Sequence, residues 1–164
     1  ETMVVEACRR KGLEQSAMHR APAAIVADAT IGIPMLRFIT EDLEMIPTVM
    51  CLRSGQGGAR EMLEREIAEL SLKPRVLYEA DVYQARAALA QARPEMVLGS
   101  NIERFAVEEL DIPFVLRLIN PISRFRMTDR AYFGYVGMLN LIESMQNDWL
   151  DRHRSKGRRY KARW

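Results

Sequence analysis

Short apolar runs alternate along the chain with segments whose apolar residues recur at intervals of three and four. The runs are AAIVADA, MIPTVMCLRS, RVLYEA, MVLGS and IPFVLRLI. A strand buried on both faces has this continuously apolar character, and helices between such strands imply parallel pairing with right-handed crossovers. The pattern therefore predicts a doubly wound, Rossmann-like α/β sandwich of three layers, with a mainly parallel sheet of about five strands.

The segments between the runs predict one helix after each strand. In TIGIPMLRFITEDLE, Pro34 is compatible with the first turn of a helix. The next two helices place Met62 and Val82 among their inward-facing apolar residues, and Asp81 is the expected N-cap of the second of these. Each helix thus has one apolar face to bury against the sheet.

The last element is a long helix within DRAYFGYVGMLNLIESMQNDWL. Gly134 and Gly137, three residues apart, give it a smooth stripe that another element can approach closely. The helix either covers the core or contacts another domain or subunit. We expect residues 1–20 to form a linking helix from a preceding domain, residues 21–151 the α/β domain, and residues 152–164 a basic tail.

Composition and charge exclude several classes of protein. The chain has 164 residues, of which 48% are hydrophobic and 28% charged, as in one globular domain. Its net charge is +2, but the basic tail carries seven of the 24 Lys and Arg residues and no acidic residue. The remaining residues therefore have a net charge of −5. An acidic body without interleaved aromatic residues argues against nucleic-acid binding. No apolar run is long enough to cross a membrane.

The residues that most often bind metals or act as nucleophiles are isolated in this sequence. Cys8 and Cys51 have no second cysteine at ligand spacing, and His19 and His153 stand alone. The sequence therefore predicts no metal site and identifies no catalytic residue.

In an open parallel sheet, ligands bind beyond the carboxyl ends of the strands, near the point where the strand order reverses. The turns at this edge offer backbone N–H groups at helix N-termini, which suit an anion. The candidate cofactor-binding residues in them are Asp28, Thr30, Ser54, Gly99, Ser100 and Asn101. As an alternative, Asp28, Ser100 and Asn101 are N-caps without a ligand. The turn after strand 1, with Asp28 and Thr30, and the turn after strand 4, with Ser100 and Asn101, are adjacent only if strands 1 and 4 flank the reversal.

The second half of the chain resembles the C-terminal Rossmann-like domain of nitrogenase component 1 proteins, and is most similar to their β-type subunits. The resemblance is carried by short motifs in a fixed order. They are Asp81-Val82-Tyr83, Pro94 to Asn101, Ile112-Pro113, then Pro121 and Ile122 with Arg124, and Gly134 to Gly137. Two departures, Glu103 in place of a family glycine and a missing aspartate after Pro121-Ile122, indicate a divergent member.

This resemblance implies a subunit of a cytoplasmic two-component oxidoreductase. Such a subunit pairs with a homologous component 1 subunit and receives electrons from an ATP-dependent iron protein to reduce dinitrogen or a tetrapyrrole-type substrate. It also implies an iron-sulfur cluster whose ligands lie in a preceding domain, so the isolated domain is not expected to be catalytic. The alternatives are an iron-molybdenum cofactor assembly scaffold and a non-catalytic small-ligand-binding α/β domain.

Overall fold

The computed structural model describes residues 18–54, 57–112, 115–119 and 134–155. Most of the predicted linking helix and of the predicted basic tail lie outside these residues. So do the motif residues Pro113, Pro121, Ile122 and Arg124.

The described chain alternates strands and helices as the apolar pattern predicts. The elements are β1 (Pro22–Ala27), α1 (Ala29–Arg37), β2 (Ile46–Leu52), α2 (Ala59–Glu69), β3 (Arg75–Tyr78), α3 (Val82–Ala92), β4 (Met96–Ser100), α4 (Asn101–Glu109), β5 (Val115–Ile119) and α5 (Gly134–Ser155). A π-helical turn, Phe38–Asp42, extends α1. None of the described helices is long and apolar enough to span a membrane.

The five strands form one sheet in the order β3-β2-β1-β4-β5, and all four neighbouring pairs are parallel. From β1 the chain adds β2 and then β3 on one side of the sheet. It then crosses to the other side of β1 and adds β4 and then β5. This confirms the predicted doubly wound sheet. It also sets the reversal of strand order, the switch point, between β1 and β4.

Strand β1 lies at the centre of the sheet and consists of small or β-branched residues. Alternate side chains enter two separate apolar cores, with Ala23, Ile25 and Ala27 in the first and Ala24 and Val26 in the second. All five are at most 2% exposed. A strand with apolar residues on both faces needs a helical layer on each side, which gives the predicted three-layer sandwich.

The helices supply the outer walls of these two cores. Leu36 of α1, Leu63 of α2 and Met145 of α5 belong to the first core, while Leu89 of α3 and Val107 of α4 belong to the second. The helices before and after β3 therefore lie on opposite faces of the sheet, as the crossover at the switch point requires.

Helix α1 corrects the expected position of Pro34. The strand ends at Ala27 and the helix begins at Ala29, so Pro34 is the sixth residue of α1 and lies inside it. Its side chain is exposed, which lets the ring avoid the sheet. At Gly32 the same helix packs very close to β2, because a Cβ there would lie 3.0 Å from Met50 Cε and 3.3 Å from Leu52 Cδ2.

The predicted inward positions of Met62 and Val82 are wrong. Met62 is 55% exposed and Val82 is 46% exposed. Helix α2 lies towards the β3 edge of the sheet, where only Ala59 and Leu63 are buried, so its buried stripe is narrower than its apolar one. Val82 is the first residue of α3 and lies where that helix begins at the carboxyl edge of the sheet.

Helix α5 covers the first core between Leu141 and Trp149. Leu141, Met145 and Trp149, at intervals of four, are at most 6% exposed and belong to that core. This bears out the core-covering alternative for the helix. At its start, Tyr135 and Val136 are 64% and 59% exposed, and a contact of this end with another domain or subunit stays a prediction.

Candidate functional site at the carboxyl edge of the sheet

The six candidate residues lie along one edge of the sheet. Asp28 and Thr30 follow β1, Ser54 follows β2, and Gly99, Ser100 and Asn101 end β4 and begin α4. Because β1 pairs with β4, the turns after these two strands are neighbours, as the sequence analysis required for the two turns to be adjacent. Their role in cofactor binding stays a prediction.

The side chain of Asp28, at the end of β1, is hydrogen-bonded to a residue that follows β2. It occupies the N-cap position of α1 with an extended backbone, but its side chain makes no capping hydrogen bond. Instead, Ser54 Oγ donates a hydrogen bond of 2.7 Å to Asp28 Oδ1. The interpretation of this carboxylate as a helix cap is therefore wrong, because the partner is a side chain from the neighbouring strand end.

Ser100 caps α4, as the alternative without a ligand predicts. Its Oγ accepts a hydrogen bond of 3.2 Å from the N–H of Ile102, and Glu103 completes a capping box with it. The N–H of Ser100 donates to Glu103 Oε2 over 2.6 Å, and its Oγ donates to the same oxygen over 2.7 Å. Only the backbone of Asn101 is described, as the first residue of the helix.

Glu103 is the buried carboxylate of the site. It is 3% exposed, and Arg53 Nη2 donates to its second oxygen, Oε1, in an ion pair. The Arg53 side chain is 25% exposed. A buried carboxylate is tolerated only when it is paired and hydrogen-bonded, and here both oxygens have partners.

The Glu103 carboxylate occupies space that is free because Gly99 has no side chain. A Cβ at Gly99 would lie 2.9 Å from Glu103 Oε2 and 3.1 Å from its Cγ, closer than ordinary van der Waals contact. The sequence marks Gly99 as a position where a ligand can approach the backbone. In this structure, a carboxylate from the same chain makes that approach.

The Arg53–Glu103 pair spans the switch point. Arg53 follows β2, Glu103 lies in the first turn of α4 after β4, and β1 lies between those two strands. The backbone N–H of Arg53 donates to the carbonyl of Ala27 over 3.1 Å, which keeps this residue next to the end of β1. The Arg53 guanidinium, the backbone N–H of Ser100 and its hydroxyl therefore meet in the crevice, a set that suits an oxyanion.

Sequence reasoning missed this pair. It recognised Glu103 only as a departure from a family glycine and did not single out Arg53. One local signal was present, because Ser100 and Glu103 have the Ser-x-x-Glu spacing of a capping box. No local signal identifies Arg53, which is 50 residues from its partner.

Cys51 is enclosed in the second core. It is fully buried, and this burial raises the pKa of its thiol, an effect that the nearby Arg53 charge partly offsets. Within the described residues, no group of three His, Cys, Asp or Glu side chains could hold a metal ion.

We expect Cys51 to be unreactive in the folded protein. In a Cys8→Ser variant, which leaves Cys51 as the single thiol, a thiol reagent at pH 8 should label it at least about 100-fold more slowly than in denaturant, because labelling requires the thiolate and access to it. Mass spectrometry with time gives the two rates. Equal labelling of folded and unfolded chains would contradict the assignment of Cys51 to the core.

Residues 9–150 match the model of the family described as nitrogenase component 1 type oxidoreductase. Two nitrogenase molybdenum-iron protein beta chains of Methanococcus maripaludis are each 29% identical over 131 residues, which cover 79% of this chain and 28% of theirs. The solved structure of nitrogenase Cp1 at pH 6.5 superposes with a TM-score of 0.80 at 19% identity, over 92% of this chain and 32% of that one. The chain thus spans about a third or less of the length of these proteins.

Proposed function

Because this chain belongs to the nitrogenase component 1 type oxidoreductase family, we propose that it is part of a component 1 subunit of a nitrogenase-like reductase. The whole protein receives electrons from an ATP-dependent iron protein and reduces dinitrogen or a tetrapyrrole-type substrate. The observation that carries this proposal is the family match over residues 9–150. The shared fold with a solved nitrogenase supports it.

Within that protein, we assign an architectural role to this chain. Residues 1–20 link it to a preceding domain, residues 21–151 form the α/β domain, and residues 152–164 form a basic tail. The carboxyl edge of the sheet, with Asp28 and Ser54 at its centre, forms one wall of a cleft shared with the rest of the protein.

The described residues do not fit an iron-sulfur cluster. Such clusters are held by several cysteine thiolates, and Cys51 is a buried thiol of raised pKa among apolar neighbours of the second core. We therefore place the cluster of the proposed reductase elsewhere in the whole protein and derive no step of the reaction through it.

The proposed partners are a homologous component 1 subunit and the ATP-dependent iron protein, in the cytoplasm. The exposed Tyr135 and Val136 at the start of α5 support a contact with another subunit or domain, since adjacent exposed apolar side chains often mark interaction surfaces. Neither nucleic acid nor a membrane is a proposed partner.

The test uses the whole protein that contains this chain, purified without oxygen. We expect an iron-sulfur signal in electron paramagnetic resonance, and electron transfer from the reduced iron protein that requires ATP hydrolysis. A non-hydrolysable ATP analogue is the control. Transfer without ATP, or a protein that never holds iron, would contradict the proposal.

The assembly scaffold is the second candidate, and Glu103 is the observation that favours it. A divergent residue that fills the crevice suits a family member whose chemistry differs from that of nitrogenase. In the same preparation, a scaffold would hold a cluster precursor and transfer it to a cluster-free acceptor without substrate turnover. The filled crevice argues against the third alternative, a small-ligand-binding domain with its site at the switch point.

A further inference from the structure

We propose that the crevice between β1 and β4 is an oxyanion-binding site that the chain closes with its own carboxylate. Glu103 is the intramolecular occupant, and Arg53 is the cation of the site. Removal of the Glu103 carboxylate opens the crevice to an anion of the size of phosphate. This inference does not depend on the reaction that the whole protein carries out.

The shape of the crevice fits an anionic group. The carboxylate of Glu103 lies against the backbone at Gly99, so closely that a Cβ there would be 2.9 Å from Oε2. Glycine at the end of a strand allows an anionic group to approach the backbone in this way. The crevice is therefore shaped around a group of carboxylate size, and that group is 3% exposed.

Two donors of Ser100 converge on one oxygen of the Glu103 carboxylate. The N–H and Oγ of Ser100 both point at Glu103 Oε2, over 2.6 and 2.7 Å. They lie at the start of α4, where the helix dipole favours negative charge. Without the carboxylate, both donors would be left to solvent or to another anion.

The cation of the crevice comes from a distant part of the chain. Arg53 comes from the end of β2, across β1, and its guanidinium pairs with Glu103 Oε1. A guanidinium has five N–H donors in a planar fork that matches carboxylates and phosphates. Since the Arg53 side chain is 25% exposed, it gives an incoming anion a path from solvent.

The experiment measures thermal unfolding of the 164-residue chain in phosphate and in chloride of equal ionic strength. The main variant is Glu103→Ala, which removes the carboxylate while keeping a good helix former. We expect phosphate to raise its unfolding midpoint by roughly 3 °C or more and that of the wild type by less than about 1 °C. Glu103→Gln keeps the crevice filled and should behave as the wild type does.

The matched control is Glu109→Ala, on the same helix. Glu109 is paired with Arg86, and its side chain is 60% exposed, so its loss opens no buried space. A phosphate response in Glu109→Ala or Glu103→Gln equal to that of Glu103→Ala would overturn the proposal. In Arg53→Met/Glu103→Ala the response should be lost, and its persistence would also overturn the proposal.

A variant that unfolds in chloride is still informative. If Glu103→Ala lacks a cooperative transition, phosphate should restore its near-ultraviolet circular dichroism, because a ligand that binds only the folded state shifts the equilibrium towards it. Failure of phosphate to restore folding would contradict the proposed site.

Discussion

Replacement of Arg53 by methionine is expected to lower the free energy of unfolding by about 2–3 kcal/mol. Methionine keeps much of the aliphatic length but leaves the Glu103 carboxylate, 3% exposed, without its counter-charge. Loss of one partner of a buried ion pair costs roughly 3–5 kcal/mol, and the 25% exposure of Arg53 reduces that figure through solvent screening. Denaturant unfolding of the chain measures the loss.

The matched control is Arg86→Met. Arg86 pairs with Glu109, but the two side chains are 40% and 60% exposed, so this change should cost less than about 1 kcal/mol. Adding Glu103→Gln to Arg53→Met removes the unpaired charge and should recover part of the loss, on the order of 1 kcal/mol. An equal loss of unfolding free energy in Arg53→Met and Arg86→Met would show that the burial of Glu103 does not affect stability.

The second large effect is expected for Gly99→Ala, which should destabilise the protein by roughly 1–3 kcal/mol. The new methyl group would lie 2.9 Å from Glu103 Oε2 and 3.1 Å from Cγ. Glu103 cannot move away freely, because Ser100 and Arg53 hold both its oxygens. The same denaturant unfolding experiment measures this cost.

The decisive comparison repeats Gly99→Ala in the Glu103→Ala background. With the carboxylate gone, the methyl group has room, and its cost should fall below about 0.5 kcal/mol. Gly57→Ala is the control for an added methyl group, since a Cβ at Gly57 meets nothing within 4 Å. An undiminished cost of Gly99→Ala in the second background would place the strain in the backbone and not against Glu103.

The strands could be predicted from the sequence because their burial is uniform. Both faces of β1 and β4 enter an apolar core, so the strands remain apolar throughout and the hydrophobic pattern alone finds them. The buried face of each helix was harder to predict, because it depends on where the preceding strand ends and the helix begins. Pro34 was misplaced because α1 begins earlier than the sequence indicates, and Met62 because the buried stripe on α2 is narrower than its apolar stripe; both are tertiary features.

The location of the candidate site could be predicted, but its occupant could not. The rule that ligands bind at strand ends directed attention to Asp28, Ser54 and Gly99 without structural information. The order of the strands, and with it the neighbours of each turn, is not encoded in any local pattern. The pairing of Arg53 with Glu103 depends on that order, since the two residues meet only across the end of β1.

The central position of β1 has a consequence for the dynamics of the domain. Its backbone pairs with β2 on one side and β4 on the other, and its side chains from Ala23 to Ala27 are buried. Amide hydrogens in such a strand exchange with solvent only when the whole domain opens, whereas those of the edge strand β3 can exchange through local fluctuations. The exchange rate of Ile25 therefore reports the global stability of the fold.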